Sequence, residues 1–518
     1  MNRRDFLQKA LALSAAGLIV PESMRKGNLF GAAPAFAGTA TDAPFNGRIL
    51  IWLNLSGGND GVNTVIPYAD PQYYAVRPTI AVPANQVLPL TGSLGLNPAL
   101  QPLMSLWNAG KMAVVEGVGY PSMNLSHFRG TDIWFSGSAE EVLWETGWLA
   151  RYLEAMFPDF PYLLPDSPYG LQQSDNHRIP LNGTRGLTGI VVDDPSSFYY
   201  LVNETYPGEY GDNPPPGRGA EELNYVRTLD QLTFEYASAI QAASDAGTNT
   251  VTYPETSLGT QMQIIAKLIS GGLKTPVFLC TEYGFDTHAY QLNSHGDLLG
   301  SVGQSIAALW ADLNAQGYGN KVCILTTSEF GRRVEENGSY GTDHGTAAPH
   351  FVIGNGVSGG VYGGAPNLTS LDEYGNLLIQ NDYRSLLATV LRGHFGASSA
   401  LMTEIFGGNF APLPFMQPAT DAGGEERFTD RLHLPSPNPV RPSLGQSVEL
   451  RFELARPAQV SMRIFDLQGR QVAQVADGTF SAGVHRVDWR PGNLTAGAYL
   501  VRMEQAGARP RHAKVVVV

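Results

Sequence analysis

Asp343-His344 stands in a Gly/Asn-rich loop between two apolar runs, residues 322–327 and 351–353. Glu329 sits where the first run breaks, at Ser328-Glu329-Phe330-Gly331. Strand, polar loop and strand is where open α/β enzymes put their chemistry, because ligands bind beyond the carboxyl ends of the strands. A carboxylate at one strand end and an Asp-His pair in the next loop can meet at a metal ion; the same residues also suit an ordinary turn. A second group follows the apolar run 276–280: Asp286 and His288, with His295 seven residues on. Asp286 and His288 are two apart on a loop or extended segment and can turn toward one centre. His295 is placed near the start of a helix, where backbone N–H groups favour anions.

Two further candidates lie upstream. Residues 48–55 form a continuous apolar run, as expected of a central strand buried on both faces. It ends in Ser56-Gly57-Gly58-Asn59-Asp60-Gly61, where the glycines permit sharp backbone geometry. Asp60 is left at the strand end, either as a metal ligand or as part of an Asn-Asp-Gly turn. After a second strand-like run, 112–118, comes Ser126-His127-Phe128-Arg129. Ser126 can act as a nucleophile, with His127 or Arg129 stabilising the developing anion, or can cap the helix that begins there.

These groups need a frame. The chain has 518 residues, enough for one large domain with additions or about three smaller ones. A net charge of −13 and a pI near 5.3 exclude a nucleic-acid partner held by a basic footprint. Cys280 and Cys323 fall in separate apolar runs, expected as buried thiols in neighbouring strands; a disulfide between them is left open. At the N-terminus, Arg3-Arg4 precedes an apolar run too short to span a bilayer, and Ala35-Phe36-Ala37 offers a small-residue cleavage site. Residues 1–37 therefore read as a signal peptide of twin-arginine type. No other segment reads as transmembrane.

The elements expected to position the candidates are a parallel-type core and helices on both sides of it. Residues 141–157 and 221–246 read as helices, within an insertion (138–270) laid over the sheet edge. Residues 298–313 repeat apolar positions at three-to-four spacing, with Leu298, Val302, Ile306, Leu309 and Leu313 on one face. A helix is also expected over 383–392. From 407 to 440 the texture is that of a linker. Beyond it, runs near 448–452, 459–465, 483–489 and 498–503 alternate with period two and are separated by turn residues, which predicts a small β-sandwich over 441–518 ending in a strand at 514–518.

Over residues 48–406 the chain resembles DUF1501, a bacterial family of unknown function exported by the twin-arginine route. The segments that carry this are SGGNDGVNTVIPY with the later Arg77-Pro78, LSHFRGTDIW, GFDTH, SEFGR and GTDHG. That family looks like a distant branch of the alkaline phosphatase and sulfatase superfamily. The resemblance implies an α/β fold with a doubly wound, mostly parallel sheet flanked by helices, and a metal site cleaving phosphate or sulfate esters. It implies Asp60 as a bridging metal carboxylate, Ser126 as nucleophile, Asp286 and His288 (with His295 in reserve) at one metal, and Glu329, Asp343 and His344 as further ligands. Two positions depart from the superfamily pattern: the spacing Asp286-x-His288 is short, and Phe330 stands where a histidine is usual. One ion, two or none is therefore compatible with the residues.

The tail from about 435 resembles the C-terminal sorting domain of the type nine secretion system, on Pro437-Asn438-Pro439, residues 465–470, Gly483-Val484-His485 and residues 496–499. This implies Tat and type nine machinery as partners and delivery to the cell surface or medium. If a metal is bound, the Asp, Glu and His donors suit zinc or manganese better than magnesium. Arg129 or Arg332 can neutralise the transferred group with a planar fork of donors. A formylglycine sulfatase is disfavoured, because no Cys/Ser-x-Pro-x-Arg signature occurs around 122–129. The expectation is a metal-dependent phosphate-ester hydrolase acting on a small-molecule or polymer-borne ester. The alternative is a surface binding or structural protein with a degenerate site.

Overall fold

Residues 49–56 alternate between two apolar environments, and that alternation organises the larger part of the molecule. The computed structural model describes residues 45, 47–157, 160, 165–173, 177–205, 218–416, 431–432, 435, 439–442 and 446–518, the last stretch without 455, 467, 482, 493 and 506–509. The expected signal segment, 1–37, lies outside the described residues. The chain divides into two units, Met1–Ala419 and Thr420–Val518.

In the first unit the main strands of the nine-stranded sheet are β1 (Ile49–Ser56), β2 (Met112–Gly119), β3 (Gly170–Gln172), β4 (Gly189–Val191), β5 (Val277–Tyr283), β6 (Val322–Thr327), β7 (Ala348–Gly354) and β8 (Gly360–Tyr362), the two-residue ninth, Asn381–Asp382, pairing with β2. They lie in the order β8-β2-β7-β6-β1-β5-β3-β4. β1 is paired in parallel with both β5 and β6, β3 in parallel with β5 and β4, and β8 in parallel with β2. β7 runs antiparallel to β2 and β6. The sheet is mostly parallel, as expected.

Successive side chains of a strand point to opposite faces. Ile49, Ile51, Leu53 and Leu55 pack on one face against helices α4 (Ser257–Ser270) and α5 (Gln291–Ala315), in one apolar cluster with Leu232, Tyr236 and Ile240 of α3 (Arg218–Ala246). Leu50 and Trp52 pack on the other against α1 (His127–Ser136), α2 (Trp148–Met156) and α6 (Tyr383–Phe395). Helices on both faces leave the carboxyl ends of β1, β5 and β6 as the open rim of the central parallel strands.

Several expectations are corrected by this arrangement. The helix expected over 141–157 spans Trp148–Met156, with Gly147 at its N-cap packed so close to Ile179 and Pro180 that no side chain fits there. The region 138–270 does more than cover an edge: β3 and β4 extend the sheet beyond β5. On α5 the buried stripe includes Leu299, while Leu298 is partly buried. Cys280 and Cys323 are free and buried, but β1 lies between their strands, with Leu53 opposite Cys280 and Leu50 opposite Cys323. Strands two apart are separated by about 9.5 Å, too far for a disulfide.

Of the stretch expected as a linker, Phe415 and Met416 pack into the core of the first unit, Arg431–Leu432 is a short strand, and Val440 is buried in the second unit. That second unit contains two antiparallel sheets. One holds Arg431–Leu432, Val448–Leu454 and Gly483–Trp489; the other holds Gln471–Phe480, Ala458–Phe465, Gly497–Gln505 and Arg511–Val517 in that order. Inward residues at alternate positions, such as Val448, Leu450, Phe452 and Leu454, form its core. The strand Gln471–Phe480 was not among the expected ones; it lies at a sheet edge, and of its residues only Ala476 is buried, with Val472, Val475 and Phe480 partly buried against the core. Among the described residues, no helix is long and apolar enough to cross a membrane.

Candidate metal centre

The site lies where β1, β5 and β6 end. β5 runs into Gly284-Phe285-Asp286-Thr287-His288, and β6 runs into Ser328-Glu329-Phe330. After β1 the chain turns through Gly57 and Gly58, with φ of +123° and +76°. A Cβ on Gly57 would stand 2.3 Å from the backbone nitrogen of Asp286, and one on Gly58 would stand 2.4 Å from the Phe330 ring. These two glycines therefore let the loops after β5 and β6 close over the end of β1. Gly331–Arg332 pairs with His344–Gly345 as a two-stranded ribbon, which brings His344 back to the same place.

Four side chains converge there: His127, Asp286, His288 and His344. Atoms of His127, Asp286 and His344 that can bind a metal all lie within 4.8 Å of one another. His127 Nε2 is 3.4 Å from Asp286 Oδ2, and His344 Nε2 is 3.1 Å from Asp286 Oδ1. His288 Nε2 is 3.0 Å from Asp286 Oδ1 and 2.9 Å from His344 Nε2. Donors sharing a tetrahedral zinc at ~2.0–2.1 Å are about 3.3 Å apart, so the separations of His127 and His344 from Asp286 fit one ion. His288 stands against Asp286 and His344 but outside the three-residue group whose donor atoms are all mutually close.

The second ring nitrogens fix the tautomers of His344 and His127. His344 Nδ1 lies 2.9 Å from the carbonyl oxygen of Leu125, which can only accept, so Nδ1 carries the proton. Glu329 Oε1 already accepts the backbone N–H of Gly57 at 2.8 Å and lies 2.7 Å from His127 Nδ1, which must donate to it. His288 Nε2 faces the Arg332 guanidinium at 3.5 Å, and its Nδ1 faces Asp343 Oδ1 at 3.6 Å. With those protons placed, neutral His127 and His344 each direct an Nε2 lone pair at the Asp286 carboxylate. Lone pairs facing carboxylate oxygens need a proton or a metal cation between them. Outer N–H groups given to a carbonyl or carboxylate are what metal-binding histidines require. The donor set, three imidazoles and one carboxylate, fits zinc.

Electrostatics support the same centre. Burial pushes the Asp286 carboxyl up, but Arg332, His344 and His288 outweigh it and hold it at about 2. The hydrogen bond to Glu329 raises the pKa of His127. Burial lowers that of His344. Asn337 donates to Asp343 at 3.0 Å and lowers its pKa. Phe330, which stands where the superfamily pattern has a histidine, is buried and packs against the rings of His127 and His344, with centroids 4.9 and 4.6 Å away. It is a floor, not a ligand.

Other expected site residues are placed differently. Asp60 does not reach the centre. Its carboxylate is buried, lies 2.5 Å from Arg77 Nη1, accepts from Gln291 Nε2, and accepts the N–H groups of Val62 and Asn63. Burial raises its pKa but Arg77 more than offsets this, and no lone pair is left for a metal. His295 is buried on α5, bonded to Asn59 Oδ1 at 2.9 Å, and burial lowers its pKa to about 4. It is a structural histidine. Arg129 donates to the carbonyls of Glu140 at 2.6 Å and Val142 at 2.9 Å, so it pins a loop instead of facing a substrate. Arg332 is buried beneath the cluster and donates to Asp286 Oδ1 at 2.6 Å and to the carbonyls of Gly57, Gly58, Phe285 and Thr342. It orients the aspartate and is not free to clamp a leaving group. Glu329 and Asp343 stand behind His127 and His288, holding ligands in place. Ser126 is exposed at the N-cap of α1, with no capping bond from its side chain. Arg77 and Gln291, which fix Asp60, were not among the expected residues.

Residues 235–407, about a third of the chain, match the family model described as "Protein of unknown function (DUF1501)". This stretch holds Asp286, His288, Glu329 and His344, and the resemblance to that family holds over it. No curated protein matches the chain. Among solved structures, a protein in the alkaline phosphatase superfamily from Vibrio parahaemolyticus is 9% identical, covering 94% of this chain and 88% of its own, with a TM-score of 0.33. The PsFucS1 sulfatase from Pseudoalteromonas sp. is 11% identical, covering 95% and 88%, with a TM-score of 0.32. The alkylpurine DNA glycosylase AlkC of Pseudomonas fluorescens is 16% identical over 18% of this chain and 30% of its own, with a TM-score of 0.14. Scores this low carry no functional argument, and function is read from the site itself.

Proposed function

We propose that the protein is a hydrolase of phosphate esters with a single divalent ion held by His127, Asp286, His288 and His344. The observation that carries the proposal is the convergence of three imidazole Nε2 atoms on the Asp286 carboxylate. Zinc is the favoured ion, manganese the next. Arg332 argues for one ion: its guanidinium fills the space below Asp286 that a second cation would need. Bound there, a divalent ion supplies Lewis-acid polarisation of an ester oxygen and lowers the pKa of water.

The chain's own groups divide the remaining work. Ser126 presents a hydroxyl at the N-terminus of α1, beside His127, and is the candidate nucleophile; water is the alternative. With water as nucleophile, a P–O bond to the water oxygen forms, the P–O bond to the leaving alcohol breaks, and the proton lost by the water is balanced by the one the alcohol oxygen takes. With Ser126, the same displacement leaves a phosphoserine, whose P–O bond water then cleaves to release phosphate and return the hydroxyl proton. Glu329 holds His127, the Leu125 carbonyl holds His344, and Arg332 holds Asp286. The proposal also places the protein outside the cytoplasm, on the evidence of its twin-arginine segment and the sorting-domain resemblance of its tail.

A second reading has one specific observation in its favour. Arg129 gives its Nη2 to two internal carbonyls and has a buried Nη1, and Arg332 is bonded to Asp286 and to internal carbonyls, so neither presents an open fork of donors to a transferred phosphoryl group. A binding protein that retains the cation site would show this. Metal analysis of the purified protein, with phosphatase, phosphodiesterase and sulfatase assays on wild type, Asp286→Ala and His344→Ala, separates the two. About one ion per chain and phosphatase turnover, both lost in the variants, support the hydrolase. Bound metal without turnover of any ester leaves the binder, and absence of both sinks the metal site.

A further inference from the structure

Tyr290 and Tyr340 both have backbone conformations that suit glycine, with φ of +48° and +62°. Bulky residues at positive φ are strained by about 1 kcal/mol or more, and such strain gathers at functional sites. Both rings are nevertheless solvent-exposed, at 76% and 51%. No core packing explains their presence. Their ring centroids are 5.9 Å apart with planes tilted by 39°, forming a shallow aromatic pair.

The pair is tied to the cluster. Tyr290 donates its backbone N–H to Ser339, and Gln291 donates its own to Tyr340. Asn337 donates to the carbonyl of His288 at 3.0 Å and to Asp343 at 3.0 Å. Gly341 lies flat on the His288 backbone, where a Cβ would stand 2.3 Å from its carbonyl carbon. The two loops are thus zipped together, with His288 two residues before one tyrosine and Asp343-His344 just after the other. Near them in the two loops Asn293, Ser294, Ser339 and Asp343 are exposed, together with Ala289 and Leu292.

We infer that Tyr290 and Tyr340 form a stacking platform for a sugar ring that carries the ester delivered to the cluster. The electron-rich face of an aromatic ring attracts the weakly positive C–H face of a sugar, while polar neighbours serve its hydroxyls. The inference names the substrate class of the proposed hydrolase and rests on that reading for the word substrate; the ring-binding claim is tested without turnover.

The test uses the full-length chain in native gels containing a soluble phosphomannan or a neutral β-glucan. It compares wild type, His344→Ala, Tyr290→Gly, Tyr340→Gly and Tyr290→Phe. Glycine relaxes the backbone at these positions, so the Gly variants should fold at least as stably as wild type, which a thermal melt verifies. Retention of wild type and His344→Ala by phosphomannan is expected. Apparent affinity should fall about tenfold or more in each Gly variant, a change of about 1.4 kcal/mol or more, and be kept in Tyr290→Phe. No retention of wild type by either polysaccharide, or retention of stable Gly variants equal to wild type, overturns the inference. Ring-dependent retention with no hydrolysis of p-nitrophenyl phosphate by the zinc-loaded protein would uphold the platform and remove the hydrolase.

Discussion

Glu329 Oε1 receives two donors at once, His127 Nδ1 at 2.7 Å and the backbone N–H of Gly57 at 2.8 Å. The carboxylate that ends β6 thereby joins the turn after β1 to the first residue of α1, and it directs the His127 Nε2 lone pair toward Asp286.

Glu329→Gln tests that link. An amide oxygen can still accept the Gly57 N–H, but it loses the charge that strengthens the bond from His127. Partners behind metal ligands are worth about 10–100-fold in metal affinity. Competition with a chromophoric chelator should show zinc affinity weakened by that range, with the thermal melt of the metal-free protein little changed. Affinity equal to wild type would deny Glu329 its positioning role.

His344 and His295 were comparable candidates in the sequence, and the structure separates them. His344→Ala removes a converging nitrogen and should abolish stoichiometric zinc binding. His295→Gln alters a buried ring bonded to Asn59, far more a matter of packing than of ligation. It should bind about one zinc per chain but melt at lower temperature. Elemental analysis after desalting, paired with calorimetry, reads both. Loss of zinc from His295→Gln would restore it to the ligand set.

How much of this was legible follows from the distances in sequence over which each fact is decided. The runs at 49–56, 277–283 and 322–327 announce themselves as buried strands, and so do the polar loops beyond them. Asp286, His288 and His344 could therefore be named from local pattern alone. Asp60 could not be settled that way: whether a strand-end carboxylate meets a metal or an arginine depends on Arg77 and Gln291. His295 carried a readable signal. With Gln291, Leu299 and Val302 it falls on the i, i+4, i+8 and i+11 stripe of α5, the buried face. Local pattern makes His127 no more than a helper of Ser126, because nothing local reveals that α1 starts opposite the loop after β5. β3 and β4, of three residues each, are too short for alternation to register.

The Asp60–Arg77 pair makes a stability prediction. Both side chains are fully buried, and Arg77 also donates to Asn63, Val334 and Arg333. Arg77→Leu leaves the Asp60 carboxylate without its counter-charge, and breaking such a pair from one side costs about 3–5 kcal/mol. Arg77→Leu combined with Asp60→Asn should recover part of that loss, because no charge then remains buried. Urea unfolding followed by tryptophan fluorescence measures it. Equal stability of the single and double variants would mean that the charge is compensated elsewhere, with Gln291 the first place to look.

Acid should weaken the first unit through histidines that take no part in the cluster. His350 on β7 is buried with neither ring nitrogen hydrogen-bonded, packed edge-on to Trp134, and burial lowers its pKa to about 3. His394 on α6, bonded to the Ile49 carbonyl at 3.0 Å, is likewise lowered to about 3 by burial. In the unfolded chain both titrate near 6.5. Between those limits the unfolded state binds more protons, so stability falls as pH drops from about 6.5 toward 3, and is unaffected by these groups above 6.5. Each contributes a slope of about 1.4 kcal/mol per pH unit across that window. Measured in metal-free His344→Ala, so that loss of an ion does not intervene, His350→Leu should flatten the pH dependence by about one proton between pH 6 and 4. An unchanged slope would mean that His350 is already charged in the folded protein or is reached by water, and its burial would have to be reconsidered.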